Sequence, residues 1–509
     1  MQYVIGCDIG SQSLKTILIS AEGKICGEAS ASYPIDYPQA AWAEQSPQAW
    51  MDALTTTVGS LLAENDISSR QIVALGLDAQ VDGVVAVDST GKPLHPAIIW
   101  MDRRAVSQCE TAGRQIAPES IFQITGLNLD PTHVAPKIRW LIDHDPSLFE
   151  KAASFLLPGS YVAFKLTGEI GVDYSNASST MLMDVRTRAW SQQMCDLFRI
   201  PMDRLPPIYP ATQVLGTLHH EAAERLGLSK STQVILGSGD EHAACLGAGV
   251  IEPGLVCDIA GTAEPVCASS DSALFDPGGL LETHSHAHPD LWLLENPGFV
   301  SGANYRWFRD QFSTEETNRA RQEGQDAYSL LDTGAETVPP GSNGLIMLPC
   351  LMGAMAPTWN PLARGTFMGF TLAHRREHFA RAILEGSAYA VRDITDQMRR
   401  MGLSLREIRA VGGGARSPLW RQIKADVTGL PVALTNTIET TALGAGILAL
   451  TGSGLIDSLP EAVSLTTHVI ETREPNPETH EIYEEYYQLY RDTYFSLLPV
   501  FERAAHINP

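Results

Sequence analysis

The hydrophobic residues fall in short blocks that alternate with glycine and hydroxyl turns. Residues 3–7 form an apolar run that enters Asp8-Ile9-Gly10-Ser11-Gln12-Ser13. Residues 14–19 form a second run, closed by Ala21-Glu22-Gly23-Lys24, and residues 25–33 follow. This pattern predicts strand, glycine turn, strand, turn, strand. Pro47 marks the first position of a helix, and residues 72–77 read as another buried strand. Strands alternating with helices predict a layered α/β fold. Val256-Cys257-Asp258-Ile259 echoes Gly6-Cys7-Asp8-Ile9 about half a chain away, each an apolar strand running into a small-residue turn. The echo suggests two similar domains facing one cleft, with the boundary near Gly247-Ala248-Gly249: residues 1–248 and 249–509. In the tail, Tyr483, Tyr487, Tyr490 and Tyr494 repeat at helical spacing over residues 477–505 and are expected to pack against the body.

At 509 residues, the chain has material for two to four domains. It carries 36 Lys+Arg against 59 Asp+Glu, a net charge of −23, which argues against nucleic-acid and anionic-membrane partners because both demand basic surface. A small anionic ligand held by local dipoles remains compatible. The eight cysteines include no Cys-x-x-Cys pair, so neither a zinc site nor a disulfide framework is expected, and a reducing cytoplasm fits. The N-terminus lacks the basic and long apolar regions of a signal peptide. Residues 440–455 read as a loop and a buried helix rather than a membrane span.

Four segments place glycine or hydroxyl residues after an apolar strand. In the first, Gly10 allows close backbone approach, and Ser11, Gln12, Ser13 and Lys15 offer donors to a phosphate; a plain hairpin turn is the competing reading. The second, Gly237-Ser238-Gly239-Asp240-Glu241-His242, puts an acid at a strand end entering a helix, either a helix cap or a cleft residue. The third is Gly261-Thr262, a second phosphate clamp. The fourth is Gly412-Gly413-Gly414-Ala415, flat enough for a planar ligand. Neither a phosphate-loop nor a dinucleotide fingerprint is present. His284-x-His286-x-His288 alternates on one face of an expected strand, but lacks an obvious fourth metal ligand.

Taken in order, these segments resemble the FGGY carbohydrate kinases, most nearly their xylulokinase branch. The resemblance rests on Asp8-Ile9-Gly10-Ser11, Trp42-Ala43-Glu44-Gln45-Ser46-Pro47, Pro96 to Arg104, Asp173 to Ser178, Gly365 to Phe370 with Glu385, and Gly412 to Pro431. It implies two actin-like, ribonuclease H-like domains flanking an ATP and sugar cleft. It further implies a kinase that phosphorylates a terminal hydroxyl of a ketopentose, D-xylulose first, with ATP and Mg²⁺ as cofactors. By the same resemblance Asp240 is the catalytic base, Asp8 and Asp240 flank the magnesium, and Ser11, Gln12, Ser13, Lys15, Gly261 and Thr262 bind phosphates. Gly302, Arg306, Gly413, Gly414 and Ala415 belong to the nucleotide site. The sugar contacts are Gln80, Val81, Asp82, Trp100, Asp102, Asp240 and Glu241. The loop Gln80-Val81-Asp82-Gly83 departs from the xylulokinase Gln-Met-His-Gly, which keeps erythritol, L-xylulose and ribulose open as acceptors. Outside the kinases, an actin- or chaperone-like ATPase shares the phosphate loops. A homodimer is left open.

Overall fold

In the computed structural model, which describes residues 1–507, the chain builds two mixed sheets of six and seven strands. The first contains β1 (Tyr3–Ile9), β2 (Ser13–Ser20), β3 (Ile25–Ser32), β4 (Ile72–Ala79), β5 (Val214–Thr217) and β6 (Gln233–Gly239), in the spatial order β5-β6-β4-β1-β2-β3. Its helices include α1 (Pro47–Asn65), α2 (Pro158–Thr167), α3 (Tyr174–Ser179) and α4 (Asp240–Gly247). β1, β4 and β6 run parallel. They are buried along almost their whole length, as expected for strands covered on both faces.

The second sheet contains β7 (Leu255–Ile259), β8 (Ala263–Ser270), β9 (Glu282–Ser285), β10 (Trp292–Val300), β11 (Glu407–Val411), β12 (Val432–Thr435) and β13 (Val469–Arg473), ordered β9-β10-β8-β7-β11-β12-β13. Its helices include α5 (Gly302–Phe312), α6 (Arg376–Arg400), α7 (Pro418–Thr428), α8 (Thr440–Gly452) and α9 (Pro477–Ile507). β7 pairs antiparallel with β8 and parallel with β11, as β1 does with β2 and β4. β12 and β13 repeat the parallel and antiparallel pairings of β6 and β5. The echo around Asp258 is therefore topological: β7 stands where β1 stands, and the chain has the two-domain actin-like architecture.

The repeat is not chemical. Asp258 is buried against the Lys424 ammonium, which also meets Glu264 at 2.5 Å, whereas Asp8 is half-buried at the cleft. One acid is neutralised into scaffold; the other is left at the cleft.

Two features join the halves. α8, although it follows β12, lies on β1, β2, β4 and β6 and against α4. Its Leu443, Ile447 and Leu448 share one apolar cluster with Val4, Ile17, Ala74, Ile235 and Leu246. The approach is so close that a Cβ on Gly6 would strike the Ala442 carbonyl, and one on Gly444 the Ala243 carbonyl. The β9–β10 hairpin is the second join. The Thr283 N–H donates to the Gly126 carbonyl at 2.9 Å, the Asn128 N–H to Glu282 Oε1 at 2.8 Å, and the Trp292 indole N–H to the Val185 carbonyl at 2.9 Å.

The tail helix α9 packs as its tyrosine stripe predicts, with Tyr483, Tyr487, Tyr490 and Tyr494 buried. The Tyr483 hydroxyl donates to Glu385 at 2.8 Å and the Tyr487 hydroxyl to Asp393 at 2.7 Å, so both polar ends are satisfied. All eight cysteines are free thiols. Among the described residues, no helix is long and apolar enough to cross a membrane.

Candidate active site

The parallel strands of the first sheet deliver acids to one edge. Strand pairing sets Asp8 beside Asp78, and Asp78 beside Ser238, two residues before Asp240. Ligands in open α/β sheets bind at this carboxyl end of the strands. Asp78 is 1% exposed, and neither carboxylate oxygen has a protein partner. Burial, and then the charges of Asp8 and Asp240, push its carboxyl well above the usual range. Burial likewise raises Asp8 to about 6, partly countered by Lys15. Asp240 is raised by burial, Glu241 and Asp8. Three acids held this close share protons or a cation. Their oxygens, with two orphaned on Asp78, fit a magnesium ion, which takes one or two carboxylates alongside water and phosphate.

Asp240 opens α4 directly after the Gly239 N-cap. Its position is fixed from behind: Asp173 caps α3, and the Ser175 hydroxyl accepts the Gly239 N–H at 2.9 Å. The hairpin between β1 and β2 is tied down by the Tyr33 hydroxyl, which donates to the Gly10 carbonyl at 2.5 Å. Ser11, Gln12 and Ser13 line this turn, with Gln12 exposed. Lys15 reaches across to Glu439, just before α8, at 2.5 Å, and lies opposite Asp8 in the strand pairing.

Beyond Asp240 lies a polar basin. The Trp100 indole is 43% exposed and donates to Ser11 Oγ at 2.7 Å, a flat surface beside the phosphate turn. Asp82 adopts a positive φ of 59°, with Val81 half-buried beside it. The buried Lys137 ammonium bonds the Asp82 carbonyl at 2.6 Å and the Ile99 carbonyl at 2.8 Å, pinning the Asp82 and Trp100 loops together. Asp82 Oδ1 sits 3.3 Å from His133 Nδ1. Burial opposes charge on that imidazole, but Asp82, aided by Glu282, outweighs it and pushes His133 up to about 9. Glu241 borders the same basin, facing Glu295, His284, Asp82 and Glu282.

Three of the expected contacts are scaffold. Asp102 is 0% exposed, and its carboxylate is consumed by the Ala43 N–H at 2.7 Å and by Arg104, which also holds Glu44 at 2.7 Å. It braces the Trp100 loop and has no free face for a sugar. Gln80 is likewise fully buried, its amide donating to Gln45 Oε1 at 2.8 Å. Ala415 belongs to the core beneath the glycine turn and is absent from the cavity wall, because the short helical turn at Gly413–Arg416 points it inward.

The second half forms a cavity of about 670 Å³. Gly261, Thr262, Gly302, Arg306, Gly413 and Gly414 line it, as expected from the sequence. The sequence reading missed Tyr305, Tyr328, Asp332 and Trp420, which share the wall. Gly302 is required by geometry, since a Cβ there would strike the Gly261 carbonyl where α5 meets the β7–β8 turn. Gly413 differs: nothing lies within 4 Å of a Cβ built on it. Gly413→Val therefore leaves the protein intact and fills ligand space. The ATP KM should rise about tenfold or more, ~1.4 kcal/mol, with the sugar KM little changed. Circular dichroism confirms folding, and an unchanged ATP KM in a folded variant would remove Gly413 from the nucleotide site.

His133, Asp78, Glu282 and Glu295 complete the polar surfaces and were not singled out from the sequence; His284, noted there only within a histidine cluster, joins them. Only strand pairing and the docking of β9 on the first half bring them together.

The sequence matches the FGGY family of carbohydrate kinases, its N-terminal domain over residues 3–247 and its C-terminal domain over residues 258–453. A xylulose kinase of Bacillus subtilis is 30% identical over 494 residues, covering 97% of each chain. A gluconokinase of the same organism is 30% identical over 463 residues, covering 91% of this chain and 90% of that one. The crystal structure of xylulose kinase from Rhodospirillum rubrum superposes with a TM-score of 0.90 at 29% identity, covering 98% of this chain and 100% of that one.

Proposed function

The chain belongs to the FGGY family of carbohydrate kinases, and on that premise we propose that it transfers the γ-phosphate of ATP to a terminal hydroxyl of a ketopentose, D-xylulose first, in the cytoplasm. The observation that carries this reading is the position of Asp240, between the acid edge of Asp8 and Asp78 and the basin of Asp82, His133 and Glu241. In this reading Asp240 accepts the proton of the sugar hydroxyl as its oxygen bonds to the γ-phosphorus and the bond to ADP breaks. Burial, Glu241 and Asp8 raise its pKa, which makes it a stronger proton acceptor than a free carboxylate. Asp8 and Asp240, with Asp78 beside them, would hold a magnesium ion, which would supply charge neutralisation at the phosphates. The hairpin turns at Ser11–Ser13 and Gly261–Thr262 grip the phosphates from the two halves, and the cavity under Gly413 and Gly414 takes the adenosine.

The basin also argues for an uncharged acceptor. Its carboxylates repel a sugar acid, and the two cations beside Asp82 are engaged: Lys137 gives its bonds to two backbone carbonyls, and His133 faces Asp82 and the Ser179 carbonyl. A polyol or another ketose satisfies the same constraint and is the second reading.

A panel of ketopentoses, aldoses, polyols and gluconate, read by coupled ADP release, tests both. D-Xylulose should raise ADP production far above the basal rate and gluconate should not; indifference to every sugar would return the chain to the ATPase reading. On the same panel Asp82→Ala should lose ~5–150-fold in kcat/KM with the best sugar. That loss matches the ~1–3 kcal/mol cost of an unpaired buried polar group. Preference should flatten if Asp82 reads hydroxyls; an equal loss on all sugars makes it a brace for His133 instead.

A further inference from the structure

The second sheet carries a row of polar side chains. Strand pairing aligns Cys257 with Cys267, Cys267 with Glu295, and Glu295 with Glu282 across β7, β8, β10 and β9. Side chains in such a row share one face, and His284, two residues from Glu282, shares it too. α4 lies on that face and lowers His242 onto it. The ligand-capable atoms of His242, His284 and Glu295 all lie within 4.8 Å of one another.

The three side chains are sealed, at 1%, 5% and 2% exposure. They are also unpartnered: both ring nitrogens of His242, Nε2 of His284 and Oε2 of Glu295 have no hydrogen-bond partner. Orphaned buried polar atoms are individually costly, and three of them, one from each residue, converging on one point call for an occupant. Among the described residues, Glu282 and Glu295 form ion pairs only with imidazoles.

We propose that His242, His284 and Glu295 bind a zinc-type divalent metal ion that ties α4 to the second sheet, with the fourth position open to water. Two imidazoles and a carboxylate select zinc over magnesium, which prefers oxygen alone. His284 Nε2 and Glu295 Oε2 lie 3.9 Å apart and need to contract to ~3.3 Å for arms of ~2.0–2.1 Å. A supporting contact is in place: His284 Nδ1 lies 3.5 Å from the Ser178 hydroxyl, which leaves Nε2 to face the metal. The site differs from the one that His284-x-His286-x-His288 suggested. β9 ends at Ser285; His286 Nε2 turns to the Val250 carbonyl at 2.9 Å, and His288 is half-exposed. Because α4 begins at Asp240, the metal would act as a positioning element for the catalytic residue across the two halves.

Metal analysis of protein grown with added zinc and dialysed without chelator reads this directly. About one zinc per chain is expected in the wild type and near none in the His242→Leu/His284→Leu double variant. Should that variant fail to fold, the wild-type apoprotein titrated with Co²⁺ should give the visible absorption of a tetrahedral site. Wild type free of zinc and without that absorption overturns the proposal. Zinc retained in a folded double variant also overturns it and reassigns the metal to Cys245, Cys257 and Cys267. Metal content is read without substrate, so a zinc-free protein that phosphorylates sugar defeats this site and leaves the kinase reading standing.

Discussion

Asp240→Asn should lower kcat with the best sugar by ~10²–10⁴-fold, or about 3–5 kcal/mol of barrier, while ATP binding survives. The substitution is nearly isosteric. An asparagine oxygen still accepts the Glu241 N–H that Asp240 Oδ1 takes at 3.0 Å, and the Ser175 anchor on Gly239 is untouched. What disappears is the capacity to accept a proton. Because the proposed reading also has Asp240 flank a magnesium ion, the measurement needs a second axis. Loss of a base is not repaired by raising magnesium, whereas loss of a metal ligand is. Turnover that stays low across a magnesium titration identifies the base; recovery assigns Asp240 to the metal alone, and wild-type turnover removes it from both roles.

Gly444→Val should strongly destabilise the seam between the halves. Its side chain would enter the Ala243 backbone, one turn into α4, with no flexible neighbour to give way. Ordinary overpacking costs ~1–3 kcal/mol, and a backbone obstacle places this site at the upper end. At ~2.1 cal/mol/K per residue, about 3 kcal/mol corresponds to a melting temperature lower by ~3–6 °C for an unfolding unit between one half and the whole chain. The same insertion into open space, Gly413→Val, is the control, and equal melting temperatures for the two variants would mean that α4 and α8 do not lock as described.

The parts of the fold that were legible in the sequence are local. Apolar runs broken by glycine and hydroxyl turns marked β1, β2 and β7, and the repeated letters around Asp8 and Asp258 marked a duplicated topology. The glycine run at Gly412–Gly414 marked a cavity wall, because a missing side chain is visible as a letter. Asp78 was hidden by its position at the end of an apolar run, where one acid reads as a boundary. Glu282 and Glu295 were hidden because register, which no single strand specifies, brings them to one face, and His133, just before a helix of the first half, meets Glu282 only through the docking of β9. Asp102 shows the reverse error. Its motif is correct, but Arg104, two residues on, takes up its carboxylate, and sequence alone cannot separate a residue that touches substrate from one that braces it.

The seating of α8 on the first sheet also governs how the chain is made. When a ribosome has released the residues of the first sheet, the surface of Val4, Ile17, Ala74 and Ile235 has no cover, because its lid has yet to be translated. The wait spans about 190 residues, roughly 10–40 s at ~5–20 residues per second. For that interval the nascent chain presents a greasy face to its neighbours on the polysome, and a stop codon placed after the first half would make the exposure permanent. Holdase chaperones and crowded translation therefore bear on the yield of this protein, through a helix that arrives nearly last.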